Sequence, residues 1–133
     1  MSLTASCHCG ATRIELPHLP THAKECNCSY CARTGAVWGY YNVDEIELLS
    51  NAGEKTYSAS DGINLHHFCG NCGMQTWGDS PDWASMYNND GTPKNGDPNA
   101  MPTSRIYAVN LRLIDDLDWS KVAVEKVDGR NSW

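Results

Sequence analysis

Glu25-Cys26-Asn27-Cys28-Ser29-Tyr30-Cys31-Ala32-Arg33-Thr34-Gly35-Ala36 packs three thiols into six residues, and how those thiols are read decides what kind of fold the chain can have. Two further stretches answer it: Ser6-Cys7-His8-Cys9-Gly10-Ala11 and His67-Phe68-Cys69-Gly70-Asn71-Cys72-Gly73. Every cysteine of the seven lies two or three residues from another. Disulfides between such near neighbours would close tiny, strained loops. The count is odd, and Met1 to Cys9 offers no basic segment followed by an apolar one, the mark of a secretory signal. A reduced, cytoplasmic setting is therefore expected, in which dense cysteines serve as metal ligands. Two thiolates at this spacing can share one ion, with Zn–S near ~2.3 Å. An extended Cys-x-Cys would put both sulfurs on one strand face. A Cys-x-x-Cys needs a tight turn, and Gly10, Gly70 and Gly73 stand where such turns call for positive φ or close backbone approach.

Seven thiolates exceed one tetrahedral site by three. A four-cysteine site is closed and structural, whereas three protein ligands leave a position for water or substrate. Spacing alone leaves the partition open. Cys28, Cys31, Cys69 and Cys72 would make a zinc ribbon, leaving Cys7, Cys9 and Cys26. Cys7, Cys9, Cys69 and Cys72 would instead leave the contiguous Cys26, Cys28 and Cys31. The second is preferred because three ligands within six residues form one compact cluster.

The three cysteine motifs, in this order and spacing, resemble those of the glutathione-dependent formaldehyde-activating enzymes, a family that includes centromere protein V. Tyr107-Ala108-Val109-Asn110-Leu111-Arg112 and Asp128-Gly129-Arg130 extend the similarity over nearly the whole chain. One departure is His67, where many members carry Arg before the Phe-Cys of the last motif. The resemblance implies a small β-tent with two zincs per chain: a structural one on Cys7, Cys9, Cys69 and Cys72, and a more open, catalytic one on Cys26, Cys28 and Cys31. It further implies a carbon–sulfur lyase type of activity, with glutathione as co-substrate and formaldehyde and glutathione combining to S-hydroxymethylglutathione. Rivals of other classes are a zinc-stabilised binding module with two structural metals and no catalysis, and an iron–thiolate electron carrier. A methionine sulfoxide reductase is disfavoured, since ligation leaves no cysteine over as nucleophile.

Working outward, 133 residues suit a single domain over 1–133. Ten Lys+Arg against sixteen Asp+Glu give a net charge of −6, which argues against nucleic acid or an anionic membrane as partner; a small-molecule thiol adduct is the partner that the resemblance implies. No apolar run approaches the ~20 residues of a membrane span. Strands are expected over 11–16, 22–27, 37–43, 55–59, 64–68, 74–77, 106–113 and 122–127, giving a mainly β chain with little helix. Segment 44–50 is open between a helical turn and a strand, 116–121 suits one helical turn, and 88–104, rich in Gly, Pro and Asn, reads as a long loop. Trp83, Met86 and Tyr87 before that loop either line a pocket or tack it to the core. Of the five histidines, His8, His18, His22, His66 and His67, His8 is expected to point away from the ligand face, and one of His66 and His67 should face inward as a satisfied core or second-layer group rather than a general base. Tyr30 and Thr34 lie beside the three-cysteine motif, and Arg33, whose planar fork suits a carboxylate, is the expected contact for the substrate's carboxylate.

Overall fold

Thr12–Leu16 alternates buried and outward residues, with Thr12, Ile14 and Leu16 inside and Arg13 exposed, the period-two pattern of a strand lying on a core. The computed structural model describes residues 3–20 and 22–132. In it this segment is β2, paired antiparallel with β1 (Leu3–Ser6) on one side and β5 (Glu47–Asn51) on the other. The remaining strands form one seven-stranded sheet, in the order β10 (Val124–Val127), β3 (Ala23–Cys26), β4 (Trp38–Tyr41), β9 (Arg105–Asn110), β8 (Gln75–Pro81), β7 (Leu65–Cys69) and β6 (Glu54–Tyr57). Its neighbours are antiparallel except β10 and β3, which run parallel and bring the end of the chain beside Cys26. Among the described residues helix is limited to α1 (Ser29–Thr34), α2 (Gly129–Ser132) and three short 3-10 turns.

Both sheets contribute to one apolar cluster. Ala5, Ile14 and Leu16 come from the small sheet, Tyr41, Trp77 and Val109 from the large one, and Leu111 and Ile114 from the turn after β9. An isolated bridge between Ala5 and Ile114 ties the small sheet's backbone to the turn that follows β9. Gly39 interrupts β4 for a packing reason: a Cβ there would lie 2.7 Å from Leu111 Cδ2 and 3.0 Å from Pro20 Cγ.

The mainly β expectation holds, and every expected strand is present with shifted ends. The 106–113 strand stops at Asn110, whose side chain accepts from Arg112 N–H and starts a 3-10 turn over Leu111–Leu113. Segment 44–50 divides into a turn and the start of β5, and the helical turn expected over 116–121 is the 3-10 turn Trp119–Lys121, capped by Asp118. Among the elements not anticipated, two bear on the cysteines. β1 is one, and α1 is the other: Cys28 serves as its N-cap and Gly35, at φ 68°, as its left-handed C-cap. The shared-strand-face expectation for the Cys-x-Cys pairs is thereby corrected. β1 ends at Ser6, so Cys7 to Gly10 is a turn closed by Gly10 N–H on Cys7 O at 3.1 Å. Likewise β3 ends at Cys26 and the chain turns into α1 at Cys28. Turns rather than strands make the sulfurs converge.

Among the described residues no helix is long and apolar enough to cross a membrane.

Candidate functional site

The first cluster is built from two turns 60 residues apart. Cys7 and Cys9 come from the turn after β1, Cys69 and Cys72 from the turn after β7, and the four Sγ atoms lie within 4.8 Å of one another. Cys7 to Cys9 is 3.7 Å and Cys9 to Cys69 is 3.6 Å. Sulfurs at the corners of a tetrahedron around an ion ~2.3 Å away stand about 3.8 Å apart, so the donor set fits a zinc-sized ion. Backbone N–H groups point at the sulfurs: Thr12 at Cys7 (3.2 Å), Asn71 and Cys72 at Cys69 (3.4 Å each). Such donors favour the thiolate. The Asn71 side chain and the Ala11 N–H hold the Cys9 thiol below its ordinary range. For Cys72, burial pushes upward but is outweighed by N–H groups of Met74 and Cys9.

The turn carrying Cys69 and Cys72 depends on two glycines. Gly73 takes φ 80° and its N–H closes the turn on Cys69 O at 2.8 Å. Gly70 donates to Gly53 O at 3.1 Å, and a Cβ on it would stand 2.3 Å from that same oxygen. Gly70→Ala is therefore expected to force the two backbones apart at a cost of about 2–3 kcal/mol, roughly 7–11 °C in Tm for a chain of this length. A thermal melt within about 2 °C of the parent would contradict the close approach.

The second cluster holds Cys26, Cys28 and Cys31, again with all sulfurs within 4.8 Å and all three residues half-buried. Cys28 N–H points at Cys26 Sγ and Cys31 N–H at Cys28 Sγ, both at 3.4 Å. Burial pushes the Cys31 thiol up. A set of soft donors one short of a tetrahedron suits an ion that keeps an open position. Both motifs of the chain's end clamp this segment. Asn27, between two of the cysteines, donates to Asp128 Oδ1 (2.9 Å), and receives Arg130 N–H on its side chain (3.0 Å) and Arg130 Nε on its carbonyl (3.1 Å). Arg112 Nε donates to Gly35 O, the C-cap of α1, at 2.7 Å. Sequence reasoning singled out these motifs without seeing what they hold, and it missed Asn27 altogether.

Tyr30 stacks on His66 with centroids 3.9 Å apart and donates its hydroxyl to Gln75 Oε1. Burial, with Cys31 next in order, pushes its phenol up to about 12. Thr34 donates to Cys31 O, inside α1. His67 is the inward histidine: it stacks on Trp77 at 4.1 Å, and its Nδ1 lies 2.9 Å from Thr56 Oγ1. His8 is exposed, and His18 sits between Leu19 O and Glu45. Arg33 is exposed on α1 with its guanidinium on Ser29 O at 2.8 Å.

A cavity of about 810 Å³ opens beside Cys26, lined among others by His22, Lys24, Tyr40, Trp83 and Tyr87. Trp83 and Tyr87 do both things expected of them. They line this cavity, and they also anchor the connection, Trp83 Nε1 on Asn64 Oδ1 (2.9 Å) and Tyr87 hydroxyl on Ala100 O (2.7 Å). Met86 and Arg33 are not among the described lining residues.

Comparison with known proteins agrees with this geometry. Residues 2–110 match the family model described as glutathione-dependent formaldehyde-activating enzyme. A Halomonas elongata protein whose name places it in the same family is 30% identical over 139 residues, covering 96% of this chain and 85% of its own length. A crystal structure of a Rhodobacter sphaeroides protein shares the fold, with a TM-score of 0.62 at 23% identity over 94% of this chain and 100% of that one. The chain thus belongs to the glutathione-dependent formaldehyde-activating enzyme family.

Proposed function

We propose that the protein is a zinc-dependent enzyme of carbon–sulfur chemistry acting on thiol adducts, with glutathione as the thiol and formaldehyde as the carbonyl partner. In this reading Cys26, Cys28 and Cys31 hold the open zinc, and Cys7, Cys9, Cys69 and Cys72 hold the structural one. The observation that carries it is a cluster of three sulfurs, one donor short of a tetrahedron, with one of its cysteines lining a large cavity. The family description supplies the glutathione and the formaldehyde.

In the forward direction the thiol sulfur bonds to the carbonyl carbon and the thiol proton ends on the oxygen, giving S-hydroxymethylglutathione. In the lyase direction the hydroxyl proton leaves, the carbon–sulfur bond breaks, and its electron pair returns to sulfur. When bound, zinc supplies the positive charge that keeps a thiol in its anionic, nucleophilic form. The chain's own residues hold and shape the site. Asn27, Asp128, Arg130 and Arg112 fix both ends of the three-cysteine segment. Tyr30 keeps its proton at neutral pH, and with the hydroxyl committed to Gln75 it walls the cluster. Tyr40, Trp83 and Tyr87 give the cavity flat apolar faces for the body of the thiol.

Zinc per chain, measured before and after mild chelation on protein purified under reducing conditions, tests the reading. About two zincs falling to one, with no visible absorption and with glutathione binding only to the two-zinc form, is expected. A value near one that resists chelation overturns it in favour of a binding or redox role. Two zincs that both resist, without thiol binding, would mean two structural metals.

A further inference from the structure

Strand β3 delivers more than a thiol to the cavity. Lys24 precedes Cys26 by two residues, so both side chains leave the same face of the strand, about 7 Å apart along it. His22, just before β3, lines the same cavity, as does Tyr40 on the neighbouring strand. Lys24 Nζ stands 5.6 Å from the centroid of the Tyr40 ring and donates to Asn89 Oδ1 at 2.8 Å. Asn89 is fixed in turn by its Nδ2 on Glu125 Oε1 at 2.6 Å. An aromatic face and a neutral amide therefore position the ammonium; Glu125, its neighbour on β10, reaches it only through Asn89, and among the described residues no carboxylate forms a direct ion pair with it. An ammonium held this way at the cavity's edge is available for a charge-assisted contact with an anion that enters it.

The rest of the lining narrows the ligand. Lys24 is the one permanent cation among the described lining residues and Asp82 the one carboxylate, so the cavity suits a molecule carrying both signs, as amino-acid-derived thiols do. At about 810 Å³ it lies in the upper part of the range of about 300–1,000 Å³ usual for small-molecule sites, which is room for a peptide-sized thiol rather than a two-carbon one. The Trp83 and Tyr87 faces would cover the peptide body.

We propose that Lys24 recognises the carboxylate of the thiol bound at Cys26, Cys28 and Cys31, making the site selective for peptide-sized carboxylate thiols. This rests on the thiol-adduct reading above and names the residue that gives it specificity. Arg33, the cation expected from the sequence, lies on the outer side of α1 with its fork on a backbone carbonyl. Lys24 belongs to none of the cysteine motifs, and only the strand alternation reveals it.

Calorimetric binding to the zinc-loaded full chain tests the assignment with three probes: glutathione, glutathione diethyl ester with both carboxylates masked, and cysteamine, which has none. The parent should bind glutathione about tenfold more tightly than the diester, the size of one charge-assisted contact. Lys24→Gln should lose that discrimination while keeping the zinc content and the affinity for cysteamine, and Lys24→Arg should restore most of it. A Lys24→Gln chain that discriminates like the parent overturns the proposal. So does an Arg33→Gln chain that loses discrimination while Lys24→Gln keeps it. If no probe binds any of these chains with two zincs in place, the thiol-adduct function itself falls and this assignment with it.

Discussion

Cys7→Ser is expected to lower Tm by about 15 °C or to prevent folding, and to remove one of the two zincs of the proposed function. Cys7 is 3% exposed, and its sulfur receives the Thr12 N–H. A metal held by its cluster would staple the turn after β1 to the turn after β7, more than 60 residues further along the chain. Fixing a loop of that length removes on the order of 4 kcal/mol of chain entropy from the unfolded state by the cross-link argument. In a chain of 133 residues that corresponds to roughly 15 °C. A serine hydroxyl keeps the shape but not the soft, anionic donor that zinc selects. The same cluster brings a turn of the small sheet against a turn at the β7 end of the large one, so its loss should be felt cooperatively. Differential scanning calorimetry with zinc analysis gives the answer: a variant melting within about 3 °C of the parent, with both metals kept, would show that this cluster staples nothing.

The sequence made the two cysteine clusters legible because their spacing is short and local, and two glycine positions, Gly10 and Gly73, behave as the turns require. Strand positions were readable for the same reason, from alternation such as that of Thr12–Leu16. What it hid is non-local. Nothing in Asn27 announces that Asp128 and Arg130, about a hundred residues later, hold it by side chain and backbone. Nor does the sequence say that β10 runs parallel to β3 and so brings that pair to Cys26. α1 escaped because a six-residue helix has too little period to detect, and because its N-cap is a cysteine, whose sulfur accepts from Cys31 N–H where Ser or Asp would ordinarily do so. Arg33 drew attention as the cation nearest the motif in sequence. Lys24 is the cation that lines the cavity, since a strand face selects every second residue and the motif does not reach back that far.

Cys28→Ser separates chemistry from folding at the other cluster. Serine is among the best N-cap residues, so the change preserves the cap of α1 while removing the middle sulfur of the three. The segment's other restraints stay in place: Asn27 with Asp128 and Arg130, and Arg112 on Gly35 O. Tm should therefore move by less than about 5 °C, in contrast to Cys7→Ser, because no long loop is released. Zinc content should fall from two per chain to one, since two remaining thiols make a poor site for the ion. Turnover of S-hydroxymethylglutathione, after subtraction of the spontaneous reaction, should drop at least about 100-fold. Cys31→Ser serves as a second probe of the same site, and the two should agree in zinc count and activity. Full activity with two tightly held metals in Cys28→Ser would remove this cluster from the chemistry, whereas one metal with full activity would make it structural. Loss of the metal and the activity together, at nearly unchanged stability, is the result that a three-thiol open site requires.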